Sequence, residues 1–164
     1  MDTIEYYNKY ASRIFEDTVD RDMEPQREEF LEELREIDGD TILDLGCGSG
    51  RDSLAFYEQG FDVTPLDALC MDYADMEFDD AFDGIWGNEA LIHVPEDELP
   101  GILEKLTEAL CQNGILFLSF QEGDFEGQRS GRYFCEYTRE ELERILTETG
   151  RLEILKLWTT EDED

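Results

Sequence analysis

One stretch constrains this chain more than any other: Thr41-Ile42-Leu43-Asp44-Leu45 followed by Gly46-Cys47-Gly48-Ser49-Gly50. The first five residues form a short apolar run that reads as a strand. Residues 51–59, stopped by Gly60, read as a helix. Glycine at such a strand-to-helix junction lets the backbone turn tightly and come close to a ligand. The helix start adds unpaired N–H groups and the positive end of its dipole. An acid just past the next strand suits ribose hydroxyls, and Asp67 stands there, about 20 residues beyond the loop. A glycine turn in an ordinary α/β protein, with Asp67 merely solvated, is the plainer reading of each residue alone. Their combination favours a nucleotide-type ligand.

The rest of the chain supplies a matching frame. Residues 22–38 predict a helix, with Phe30, Leu31, Leu34 and Ile37 on one face, Pro25 in the first turn and Gly39 at the stop. Residues 61–66 predict a second strand, and Pro65 marks it as an edge or its end as irregular. Residues 82–86 predict another strand. Residues 96–111 predict a helix with an apolar stripe, capped by Asn113-Gly114. Residues 115–120 form the most apolar strand, so a central place is expected for it. Residues 121–132, rich in glycine and charge, read as a loop. Thr138-Arg139-Glu140-Glu141 is a capping box opening a helix that Gly150 ends, and 152–158 predict a last strand. Strands alternating with helices imply an α/β, Rossmann-like fold: a mostly parallel sheet with helices on both faces. At 164 residues, one domain over 1–164 is expected.

Composition narrows the partners. The net charge of -31 repels phosphate backbones and anionic lipids, so neither nucleic acid nor membrane partners are expected. No apolar run approaches the roughly 20 residues that span a bilayer, and Met1-Asp2-Thr3-Ile4-Glu5 lacks the pattern of a secretory signal. Cys47, Cys70, Cys111 and Cys135 form no C-x-x-C pair and have a single histidine beside them in the chain. Reduced thiols, a cytoplasmic location and no metal site are the expectation.

With these residues in hand, Asp44 to Asp52 resembles motif I of the class I S-adenosylmethionine-dependent methyltransferases of small molecules. Tyr6 to Ala11 is similar to that family's aromatic N-terminal segment. Phe82 to Trp86 with Leu91 to Pro95 resembles its fourth-strand motif, and Gln112 to Leu116 its turn into strand five. The resemblance implies S-adenosylmethionine as cofactor and S-adenosylhomocysteine as product. It implies Asp44, Gly46, Cys47, Gly48 and Gly50 around the methionine part, Asp67 at the ribose and Asp72 at the adenine. Tyr7 and Asn88 would border the methionine end.

The chain departs from that family in two places. Asp67 is followed almost at once by Met71-Asp72-Tyr73, which leaves no helix between strands two and three. Parallel neighbours need a crossover of about a dozen residues. Residues 69–72 therefore either join a direct crossover to strand four or pair with another subunit. The family's antiparallel seventh strand also has no counterpart here. Bare sheet edges are a liability, so a homodimer is expected. His93 is a candidate general base, with packing as the other reading. Methyl transfer to a small molecule is the functional expectation; a cofactor-binding protein without catalysis, or a different nucleotide-binding enzyme, are the alternatives.

Overall fold

The computed structural model describes residues 23–47, 50–66 and 73–160. Helix α1 (Glu24–Glu36) leads into strand β1 (Thr41–Leu45), followed by helix α2 (Arg51–Glu58) and strand β2 (Asp62–Leu66). Strand β3 (Phe82–Gly87), helix α3 (Leu99–Ala109) and strand β4 (Leu110–Leu118) come next. A hairpin of β5 (Glu126–Arg129) and β6 (Arg132–Cys135) precedes helix α4 (Arg139–Glu148).

The four main strands form one parallel sheet in the order β2-β1-β3-β4. Side chains alternate across it, as period-two geometry requires. Ile42 and Trp86 face α1 and α2, packing with Phe30, Leu31, Leu34 and Phe56. Leu43, Leu45 and Ile85 face α3 and α4, packing with Leu99, Leu103, Leu106 and Ile145. Trp86 anchors the first layer: it stacks on Phe117 at 4.1 Å and meets Phe30 and Phe56 edge-on at 5.4 Å. Asp83 ties the lower ends of β1 and β3 together. Its Oδ2 accepts from the Asp40 and Thr41 amides and from Thr41 Oγ1. These bonds hold its carboxyl below the usual range.

The expected α/β frame is present, with helices on both faces and few strands. Pro65 lies on an edge strand, since among the described residues no strand follows β2 on its side. Residues 73–81 join a direct crossover from β2 to β3, passing the α3 face, where Tyr73 and Met76 are buried. Whether residues 69–72 pair with anything lies outside the described residues. The capping box at Thr138 is formed with both of its hydrogen bonds.

Four expectations are corrected. The strand holding residues 115–118 is not central; β4 closes the sheet on the other side. Asn113-Gly114 does not cap α3. The helix stops at Ala109 because the Asp80 and Ala81 amides take the Glu108 and Ala109 carbonyls, drawing Leu110 into the sheet. The register then slips from Phe82↔Leu110 to Gly84↔Ile115, and residues 111–114 bulge out, with Asn113 at φ 65°. Residues 121–132 are not all loop, since β5 lies within them. The turn Ser130-Gly131, with φ of 54° and 82°, has the two-residue form that matches strand twist. Lastly, residues 152–158 are not a strand of the sheet. They are tethered by side chains instead: Lys156 to Glu29 and Glu33, and Arg139 to the Leu157 carbonyl.

Candidate functional site

The upper, carboxyl ends of β1, β2 and β3 converge at Leu45–Gly46. The Gly46 and Cys47 amides both donate to the Leu66 carbonyl, at 2.6 and 3.1 Å. That fork fastens the glycine turn to the end of β2, next to where residue 67 must follow. Gly46 has φ 71°, and a Cβ there would stand 2.8 Å from Tyr73 Oη and 3.2 Å from Ala90 Cβ. Only glycine fits both the backbone conformation and the space. Gly50 differs. Nothing lies within 4 Å of its would-be Cβ, and its φ of 82° as the N-cap of α2 is what calls for glycine. The side with open space is where a ligand could approach the backbone.

Asp44 is the buried acid beneath this turn, 2% exposed. Burial is the main influence on its carboxyl, raising its pKa to about 7. The Ser53 hydroxyl, donating at 2.6 Å, and Arg51 oppose the rise, while Asp52 adds to it. Such a group is half-ionised near neutrality. A cation set beside it would draw it fully into its charged form, so the pair of Gly46 and Asp44 fits a ligand with an ammonium group.

Asp52, the second residue of α2, is a structural acid. It accepts from Arg27 Nη1 at 2.7 Å, Arg51 Nη2 at 3.1 Å and Trp86 Nε1 at 3.0 Å. The network binds α1, α2 and β3 together directly under the glycine turn. Its place in the first turn of the helix would by itself explain an acid only through the helix dipole. The tryptophan and Arg27 come from other elements, 34 and 25 residues away, and no local pattern announces them.

The β3 corner is stitched just as closely. Ser119 Oγ donates to Asn88 Oδ1 at 2.9 Å and accepts from the Glu89 amide at 2.8 Å, while Glu89 takes φ 52°. Asn88 is therefore oriented by the first residue after β4, at the same end of the sheet as Gly46. His93 sits further along, beneath the hairpin. Its Nδ1 lies 2.6 Å from the Tyr133 carbonyl and its ring is edge-on to Phe134 at 4.8 Å. A carbonyl can only accept, so Nδ1 carries the hydrogen. Burial and then Arg132 lower the pKa of His93, with the Tyr133 bond opposing them. It is a neutral imidazole docking the hairpin. Phe134 and Tyr137 are core residues, at 7% and 3% exposure. Tyr7, Gly48, Asp67 and Asp72 lie outside the described residues.

A short parallel sheet with a glycine turn after β1, a buried acid under it and an oriented amide after β3 defines a Rossmann-like ligand-binding domain. Residues 15–156 match the methyltransferase domain family, and the chain belongs to it. It is 31% identical over 118 residues to the cypemycin N-terminal methyltransferase of a Streptomyces species, covering 59% of this chain and 48% of that protein. The chain thus spans about half the length of the curated relative it matches. Among solved structures it resembles the 1,6-didemethyltoxoflavin-N1-methyltransferase of Burkholderia thailandensis, which holds 1,6-didemethyltoxoflavin and S-adenosylhomocysteine. The TM-score is 0.67 at 24% identity, over 88% of this chain and 77% of that one. It also resembles DhpI in its complex with SAH, with TM-score 0.66 at 23% identity over 89% and 84% of the two chains.

Proposed function

We propose that this chain transfers the methyl group of S-adenosylmethionine to a nitrogen of a small organic acceptor. The observation that carries the reading is Asp44 buried beneath the Gly46 turn, in a chain of the methyltransferase domain family. The cofactor supplies an electrophilic methyl on a sulfonium. In the transfer the acceptor's lone pair forms the new bond to the methyl carbon. The sulfur–carbon bond would break with its electrons left on the thioether of S-adenosylhomocysteine, and the methylated nitrogen, now carrying the positive charge, would release its N–H proton to water. Asp44 and the backbone at Gly46, Cys47, Gly48 and Gly50 hold the methionine part. Asp67 takes the ribose, Asp72 the adenine, and Tyr7 and Asn88 border the reacting end. A neutral amine needs little acid–base help, so positioning can supply much of the acceleration. His93 is assigned to packing the hairpin rather than to proton transfer. Nitrogen is named because one relative is an N-terminal methyltransferase and one structural neighbour an N1-methyltransferase.

The short sheet favours one other reading, a cofactor-binding protein without turnover. Incubation with S-adenosylmethionine and a panel of amines decides between them. S-adenosylhomocysteine forming in proportion to acceptor supports the enzyme. Tight cofactor binding without any product supports the binder.

The partners follow the same reading. A charge of -31 argues against nucleic acid and anionic lipid, and among the described residues no helix is long and apolar enough to cross a membrane. We carry a single domain, a cytoplasmic location and a homodimer as parts of the proposal. The dimer is supported by Leu54 and Tyr57, 58% and 71% exposed on α2 beside β2, which among the described residues is an edge strand. A mass of one 19.1 kDa chain by light scattering would refute it.

A further inference from the structure

Strand β4 has a neighbour on one side only; among the described residues no strand lies along its other edge. Beyond that edge runs a groove of 1510 Å³ whose far wall is the extended segment 151–160. It exceeds the roughly 300–1,000 Å³ of a small-molecule pocket. The far wall is held in place by the Lys156 pairs with Glu29 and Glu33 on α1, by the Arg139 bond to the Leu157 carbonyl from α4, and by Trp158, 6.1 Å from Phe117. The groove is thus a slot bordering the sheet, with α1 to one side and α4 to the other.

The contents of the slot are dictated by what lines it. A bare strand edge offers a row of alternating amides and carbonyls, and an extended chain is the ligand that pairs with such a row. Along β4, Ile115 and Phe117 pack towards the α1 layer, Leu116 and Leu118 towards the α4 layer. A guest strand beside them would find apolar surface for its side chains on both faces. The rim is acidic. Glu36, Glu122 and Glu153 stand exposed around it, while Lys156, one of its few cations, is already matched by two glutamates. A second copy of this chain would bring another -31 charge to that rim. A basic guest is the complement.

We propose that the slot along β4 is a docking site for an extended segment of a partner protein, added as a strand to the β4 edge, with apolar residues flanked by lysine or arginine. At one end the groove reaches the Asn88–Glu89 corner, but the docking surface proposed here is the length of β4, and its test needs no cofactor.

The probe is a fluorescein-labelled peptide, Lys-Val-Lys-Val-Ile-Val-Lys-Val-Lys, titrated into the full chain with anisotropy as readout. The expected result is saturable one-to-one binding that weakens as salt rises from roughly 0.05 to roughly 0.5 M. The same peptide N-methylated at its three central residues keeps its charges and side chains but loses the central backbone donors. It should bind about tenfold more weakly or worse. The triple variant Glu36→Gln, Glu122→Gln, Glu153→Gln changes only exposed side chains and should weaken the parent peptide several-fold. Equal binding of the methylated peptide would overturn the proposal by exposing unspecific charge attraction. Absence of binding by the parent peptide would overturn it too. So would a dimer that the peptide dissociates, because a second copy would then be the natural occupant.

Discussion

Asp44 offers the sharpest test of how the site is built, through the variant Asp44→Asn. In the folded chain its pKa is about 7, against 3.8 in an unfolded one. Below pH 3.8 both states hold the proton, and the buried group costs nothing extra. Between 3.8 and about 7 only the folded state holds it, so stability falls as pH rises. Above about 7 the loss is complete. Three pH units at about 1.4 kcal/mol each amount to roughly 4 kcal/mol, of which about 2 kcal/mol falls between pH 5.5 and 8.5. The asparagine introduced by the substitution would carry no charge and could still accept from Ser53. The variant's stability relative to the parent should therefore rise by about 2 kcal/mol across that window. Urea unfolding of both proteins at the two pH values measures this, and the difference between them cancels the general repulsion of a chain at -31. The same carboxyl should lose its proton when an ammonium-bearing ligand binds. Calorimetry of S-adenosylhomocysteine near pH 6, in buffers of different ionisation enthalpy, should show close to one proton released by the parent and about none by the variant. A stability difference that does not move with pH would refute the buried-acid account. Binding without proton release would refute its link to the ligand.

The remaining tests address separate parts of the fold and site. Gly46→Ala must place a methyl 2.8 Å from Tyr73 Oη at φ 71°; it should cost about 1–2 kcal/mol in backbone strain alone and weaken S-adenosylhomocysteine binding, and an unchanged affinity in a folded variant would place the ligand elsewhere. Asp52→Ala leaves Arg27 and the Trp86 indole without their acceptor and should cost about 3–5 kcal/mol in urea unfolding. Thr138→Ala removes the α4 capping box and should lower stability by about 1 kcal/mol, read as a shift in Tm of a few degrees. His93→Asn should reduce stability while leaving the pH profile of product formation unmoved; loss of the acidic limb of that profile would restore His93 as a base.

The local features were legible because they rest on contacts close in sequence. The glycine turn, the capping box, the helix of residues 24–36 and the edge character set by Pro65 depend on backbone conformation and on side-chain spacing within a few residues. The hairpin around Ser130-Gly131 was not legible in this way, because Glu126-Gly127-Gln128-Arg129 before the turn has no apolar alternation and its glycine and charge read as a loop.

Other features were set only when distant elements met. Periodicity gave β4 its strand character, but hydrophobicity could not separate a central strand from an edge strand whose faces are covered by α1 and α4. Residues 152–158 alternate as a strand does, yet strand pairing needs a neighbour's backbone within about 5 Å. Their tethers to Glu29, Glu33 and Arg139 leave the slot between them and β4. Asp44 was named from its motif. Its raised pKa belongs to the fold, because burial between β2 and β3 strips water from the carboxyl, and no neighbour in the sequence could reveal that. The sequence by itself determined the glycine turn; the packing of strands and helices around it decided the charge beneath that turn and left β4 at the far side of the sheet.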